Sequence, residues 1–292
     1  MPFLAVVAAG AAVAGAAATG AVAAPATVSG DGGDRIGIVK GTGDAFAKAG
    51  PLNALWTSEA EHIKQIVLSG RRIGVLRDDG NAYVKDGALD APWRWQADHV
   101  KQIALDGERF GIVKGTGTAY VKVGRLDAPW KGQAIDVKTL ELSRNRIGIV
   151  KGNGVAYVKE GGLDAPWQLQ AGEAVDIDLN GNRVGILKGD GNAYVKEGSL
   201  DAAWKWQADH VLQLELSGSR IGVLKDDGVL YAKQGGLSAL WHRQADHTIQ
   251  FALSGTRVAY LADTGVAYAK QGGVSTTQWL READRVTEIA LS

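Results

Sequence analysis

The chain contains no cysteine, one methionine and six prolines in 292 residues. Without cysteine it has no disulfides, no thiolate nucleophile and no cysteine-ligated zinc. A chain of this length can bury a core that needs no cross-links, so the absence says little about compartment. Surplus charge is also missing, because 32 basic residues balance 32 acidic ones. A general binder of phosphate backbones needs clustered excess lysine and arginine, so nucleic acid is not an expected partner. The sequence holds no G-x-S-x-G, no H-E-x-x-H and no P-loop. Asp-Gly fragments around Asp31 and Asp190 have too few ligands for an EF-hand. Nothing calls for a cofactor or a metal. No stretch spaces its apolar residues for three helical turns.

Long hydrophobic runs are scarce, and the exception is at the start. MPFLAVVAAGAAVAGAAATGAVAAPATVSG carries no charge before Asp31. Residues 1–30 read as a secretory signal peptide and short linker, with an A-x-A-like site at Ala21-Val22-Ala23 but no basic residue ahead of the apolar run. The rival reading is a membrane anchor, weakened by the alanine and glycine content. The expectation is a secreted or extracellular monomer with no stable membrane insertion after cleavage.

Repetition is abundant. Arg35, Arg72, Arg109, Arg146, Arg183, Arg220 and Arg257 stand 37 residues apart. Glycine follows two residues on in six copies, with Ala259 in the seventh. In step come an aromatic (Phe46 to Tyr268), a lysine (Lys48 to Lys270) and a glycine (Gly50 to Gly272). Trp56, Trp93, Trp130, Trp167, Trp204 and Trp241 keep the period, and Trp279 falls one residue late. Seven copies fill residues 35–292, and such self-similarity marks a repeat architecture.

One module, residues 100–133, reads as four short strands: VKQIALDG, ERFGIVKG, TAYVKVG and APWKGQ. Asp79-Gly80, Asn153-Gly154, Asp190-Gly191, Asp227-Gly228 and Thr264-Gly265 predict two-residue hairpins between the second and third strands. Four strands repeated seven times predict an all-β, seven-bladed propeller over residues 31–292. A β-solenoid is the alternative, but it lacks repeated tight hairpins. The ends support a ring. No VxQIxLSG strand precedes Arg35, whereas residues 285–292 (RVTEIALS) supply one, so the C-terminal strand should pair beside Arg35–Lys40 and close the sheet.

Repeats of the form VxQIALSGxRIGVLxDDGxAYVKEG resemble the regulator of chromosome condensation repeats and the tectonin and tachylectin propellers. The chain lacks the GQLG-type ending and basic tail of the first group, so exchange-factor activity and chromatin binding are not carried over. Resemblance to the other two implies recognition of carbohydrate or cell-surface glycans.

Candidate site residues follow. Asp90, Asp127, Asp164 and Asp201 each precede a tryptophan by three, and Asn53 and Ser238 take that place in two other copies. A polar group beside an indole suits sugar hydroxyls and a stacked C–H face. The packing alternative is an Asx-type turn with the indole sealing a gap between blades. The candidate ligand set is Trp56, Asp90, Trp93, Asp127, Trp130, Asp164, Trp167, Asp201, Trp204 and Trp241. Trp95 and Trp206, which occur in only two copies, join it. Gln96, Gln133, Gln170, Gln207 and Gln244 fit either reading. The arginines should hold neighbouring carbonyls or carboxylates. The lysines should run their stems along apolar surface and end at an edge, and the tyrosines should pack in the core. The QADH strings at 96–99, 207–210 and 244–247 read as loops. Three functions follow in order: a multivalent lectin-like binder that is not an enzyme, a protein-interaction scaffold using a patch such as Trp95, Trp206, His210, His242 and His247, and an enzyme sited at the central channel, where blade symmetry would break at polar residues.

Overall fold

A computed structural model describes residues 34–292. The signal-peptide and anchor readings concern residues outside this range. Twenty-eight strands run from β1 (Arg35–Lys40) to β28 (Val286–Leu291), in seven antiparallel four-stranded sheets. The second sheet is representative: β4 (Ile63–Ser69), β5 (Arg72–Arg77), β6 (Ala82–Asp86) and β7 (Arg94–Ala97), in that order. First strands of successive blades line the axis and fourth strands form the rim. The ring is a seven-bladed β-propeller. β28 pairs with β1, matching Ile36 to Leu291 and Ile38 to Ile289, so the last strand supplies the innermost strand of the first blade.

Each hydrophobic cluster draws from two neighbouring blades. One joins Val67, Leu76 and Val84 of the second blade to Ile103, Phe110 and Ile112 of the third. The glycine two places after the arginine in six of the seven copies permits this approach. A Cβ at Gly111 would lie 2.7 Å from Leu140 of the next blade, and one at Gly148 2.9 Å from Ile177.

Two local expectations change. The second-to-third-strand loops have three residues. Gly80 N–H donates to Arg77 and Arg77 N–H to the Asn81 carbonyl, while only Gly80 has positive φ (81°). This is a turn followed by a left-handed glycine, as a three-residue hairpin requires. The two-residue loops are the earlier ones, such as Gly70-Arg71 between the paired Ser69 and Arg72. In the QADH strings, glutamine and alanine belong to the fourth strand, and only Asp-His is loop.

The inner edges of the first strands would leave N–H groups unpaired. Side chains of the preceding blade cap them in tiers. Gln65 accepts from the Ile103 N–H (2.9 Å) and donates to its carbonyl (3.2 Å). Gln102 does the same to Leu140 and Gln213 to Phe251. Lower in the channel, Ser69 accepts from Gly107 and Asn180 from Gly218.

Candidate functional site

The repeated charged residues join blades. Each arginine guanidinium donates to the glycine carbonyl that follows the third strand of the next blade: Arg35 to Gly87, Arg72 to Gly124, Arg109 to Gly161, and so around the ring to Arg257 and Gly50. The expected arginine role holds. The lysine expectation does not. Each ammonium is buried, donating to a carbonyl a few residues on and lying 4.5–4.9 Å from the centroid of its blade's repeated indole. The previous blade adds Glu282 for Lys48, Glu59 for Lys85, Gln96 for Lys122 and Gln207 for Lys233. Carbonyls, an indole face and a neighbour's side chain together replace water, which makes burial tolerable. Desolvation still lowers Lys122, Lys233 and Lys270 to about 8.

This arrangement occupies the repeated tryptophans. Trp56, Trp93, Trp130, Trp167, Trp204 and Trp241 are half-buried. Trp93 donates to the Glu59 carbonyl of the preceding blade (3.1 Å), Trp130 to that of Gln96 (3.3 Å) and Trp56 to that of Glu282 (3.3 Å). Asp90, Asp127, Asp164 and Asp201 stay exposed, with Asp127 bound to Arg125 (3.0 Å) and Asp164 to Lys131. Lysine thus lies against every repeated indole, and a neighbouring carbonyl also fixes Trp56, Trp93 and Trp130. Tyr83, Tyr120, Tyr157 and Tyr231 pack half-buried against the clusters.

Trp95 and Trp206 differ. They stand on the rim strands β7 and β19 (Lys205–Ala208), 57% and 53% exposed. Their indole N–H groups donate to Asn81 and Asn192, both at 3.0 Å. His210 follows β19 in a linker whose backbone packs beside Gly191, next to the Asn192 that holds Trp206. His247 sits in the following linker, His242 on β23 (His242–Ala245), and Trp95 three blades away on β7. The five residues do not form one patch.

Sequence reasoning missed two features at the axis. First, blade symmetry breaks inside the channel. The fifth position of the innermost strand is Val67, Ala104, Ala252 and Ala290 in four blades but Glu141, Asp178 and Glu215 in three adjacent ones. Asp178 caps the Leu216 N–H and Glu215 the Leu253 N–H (2.9 Å). Neither Glu141 oxygen meets a donor at full hydrogen-bond geometry, and the residue has no exposed surface. Burial pushes Glu141 and Asp178 well above the ordinary carboxylate range, and their acidic neighbours add to it. Asp176, one Oδ1 of which is sealed from solvent although the residue keeps some surface, is raised by burial to about 7. Aligning the seven copies of this strand would have exposed the break.

Second, the mouth on the linker side is asymmetric. A recess of about 890 Å³ opens there, lined by Lys40, Lys64, Leu212, Asp226, Ile249 and Asp263 among others. The exposed second position of the innermost strand reads Lys64, Lys101, Lys138, Val175, Leu212, Ile249 and Thr287 around the ring. Leu212 and Ile249 are each 48% exposed. Asp226 pairs with His210 (3.0 Å) and Asp263 with His247 (3.3 Å) above them.

No family model matches the chain, and no curated protein is significantly similar in sequence. Solved structures match in fold. Prp20p of Saccharomyces cerevisiae, described with its binding to Gsp1p and histones, superposes with TM-score 0.63 at 11% identity over 86% of each chain. Human WBSCR16 gives 0.61 at 10% identity over 86% of this chain and 93% of its own. PorZ, a bacterial surface component of the Porphyromonas gingivalis type-IX secretion system, gives 0.62 at 12% identity over 85% of this chain and 37% of its own. At these identities the likeness lies in the fold, a seven-bladed propeller like that of the regulator of chromosome condensation.

Proposed function

We propose that this propeller is a non-catalytic binding protein that receives a protein segment at the linker-side mouth of its channel. The carrying observation is the broken symmetry of the exposed second position. The propeller needs no difference there, yet three adjacent blades carry Lys64, Lys101 and Lys138 and the next three carry Val175, Leu212 and Ile249. Asp226, Asp227 and Asp263 stand over the apolar half, so the mouth fits a segment with an apolar anchor and charges of both signs. Prp20p, of the same fold, is a protein-binding propeller by its description. The buried carboxylates do not argue for catalysis, because Glu141 is closed to solvent and so to any substrate. The carbohydrate reading is favoured at Trp95 and Trp206, where indoles are exposed.

The test is selection of short displayed peptides against the folded chain. Peptides that compete with one another and lose binding at least tenfold with Leu212→Asp or with Lys64→Glu plus Lys101→Glu support the reading. Peptides indifferent to both variants, or failure to select any, count against it. Unchanged thermal unfolding of the variants guards the comparison, since all these side chains are exposed.

A further inference from the structure

The two rim tryptophans come with partners of their own. Asparagine occupies the loop position before the third strand only at Asn81 and Asn192; the other five copies have Asp44, Thr118, Val155, Val229 and Val266. Tryptophan occupies the second rim-strand position only at Trp95 and Trp206; the others have Ser58, Gly132, Leu169, Arg243 and Arg281. The same two copies hold both, and in each the indole N–H donates to the amide oxygen at 3.0 Å. The fold does not require the pair, because the equivalent strands form with Ser58 and Gly132.

Each pair makes a small shelf. Trp95 is the register partner of Tyr83, and Trp206 of Tyr194, which sets a tyrosine beside each indole on the same face. The hydrogen bond holds the indole in one orientation before any ligand arrives, which lowers the ordering cost of binding. It uses the amide oxygen; the Nδ2 group also donates to Asp79 or Asp190 in the same hairpin, which leaves the second Nδ2 hydrogen for a ligand. An exposed aromatic plane with an amide at its edge is chemically matched to a pyranose ring: C–H groups on the plane, hydroxyls on the amide. The shelves sit on the second and fifth blades, three steps apart around the ring. One chain therefore offers two equivalent weak sites facing different directions.

We propose that Trp95–Asn81–Tyr83 and Trp206–Asn192–Tyr194 are twin saccharide-binding shelves for a β-linked glucan-type chain, whose equatorial substituents leave flat C–H faces. This goes beyond the reading of the channel mouth and uses none of its residues. Simultaneous engagement of two sites by a repeating polymer raises avidity without new contacts.

The test is affinity electrophoresis of the full chain in gels containing hydroxyethylcellulose or glycol chitin. The expected result is retardation of the unaltered chain in at least one polymer. Trp95→Ala or Trp206→Ala should weaken it about tenfold or more, Asn81→Leu with Asn192→Leu should weaken it as well, and the double tryptophan variant should migrate as in a blank gel. Thermal unfolding should stay unchanged, since glycine and serine serve at the same position in other blades. Unretarded migration of the unaltered chain in both polymers overturns the proposal. So does retardation that survives in the double variant.

Discussion

The Arg257 guanidinium in the seventh blade donates to the carbonyl of Gly50 in the first, 207 residues away in sequence. It is the same clamp that joins every other pair of blades, and here it closes the ring alongside the β1–β28 pairing. Arg257 also reaches the Asp34 carbonyl (3.1 Å). Arg257→Ala takes the charged donor from the Gly50 carbonyl and leaves the Asp34 carbonyl with the Gly50 N–H alone (3.0 Å). Hydrogen bonds from charged donors contribute about 1.5–3 kcal/mol each. We expect a loss of roughly 2–3 kcal/mol in urea unfolding, on the basis of that range. A chain ending before Val286 should lose cooperative unfolding altogether, because the first sheet then lacks its innermost strand.

Blade spacing gives a second expectation. A Cβ at Gly222 would meet the ring of Phe251, which cannot fold away, whereas one at Gly37 would lie 2.9 Å from the terminal methyl of Ile66, which can rotate. Gly222→Ala should therefore cost about 1–3 kcal/mol, the usual range for overpacking. Gly37→Ala should cost clearly less. Paired denaturant titrations compare them, and equal losses would contradict rigid packing at Phe251.

The ring, its seven copies and its closing strand were legible in the sequence because a propeller repeats its packing solution and so repeats its letters. The hairpin loops were not. Asp79-Gly80 suits either a two- or a three-residue loop, and strand register, a tertiary property, decides. Lys85 was expected at an edge because a lone lysine is costly to bury, but its partners Glu59 and Leu89 lie in other segments. The repeated indoles were legible as conspicuous residues, but their neighbours were not. Glu141 carried a readable signal, one of three adjacent carboxylates where the other four copies have alanine or valine, visible only when all seven innermost strands are aligned.

The buried carboxylates set the pH response. Asp106 and Asp176 are raised by burial to about 7, and burial also holds Glu141, Asp178 and Glu288 well above the ordinary carboxylate range. Between the ordinary carboxylate range and these folded values the native state holds protons that the unfolded chain releases. Stability therefore falls as pH rises from about 4 towards 7. The lysines act above that. With folded values near 8 against 10.5, Lys122, Lys233 and Lys270 bind fewer protons when folded, so stability rises with pH between these limits. Exposed carboxylates have finished titrating by then. Thermal unfolding should show its lowest midpoint between about pH 7 and 8, with a higher midpoint at pH 5, and Asp176→Asn should raise the midpoint at pH 7.5 more than at pH 5.

The linkers between blades carry strain at fixed places. His62, His99, Asp136, Glu173, His210, His247 and Arg285 all adopt left-handed backbone, with φ from 48° to 59°. Two backbone bonds hold each one there: the Gly189 N–H donates to the Glu173 carbonyl (2.9 Å), and the next residue, Ala174, donates to Gly154 (2.8 Å). The hairpin tip and linker thus lock each other, and the chain accepts a conformation that costs a side-chain-bearing residue about 1–2 kcal/mol. A β-branched side chain fits this region worst. Glu173 already bears the Cβ cost, so Glu173→Val should lower stability only by the extra crowding of its branched Cβ, whereas Glu173→Gly should leave it unchanged or slightly higher. The exposed Lys188 pair of Glu173, at 3.5 Å, contributes little, so Glu173→Gln serves as the control and should match the unaltered chain. A valine variant as stable as the control would mean that the linker backbone relaxes out of the left-handed region.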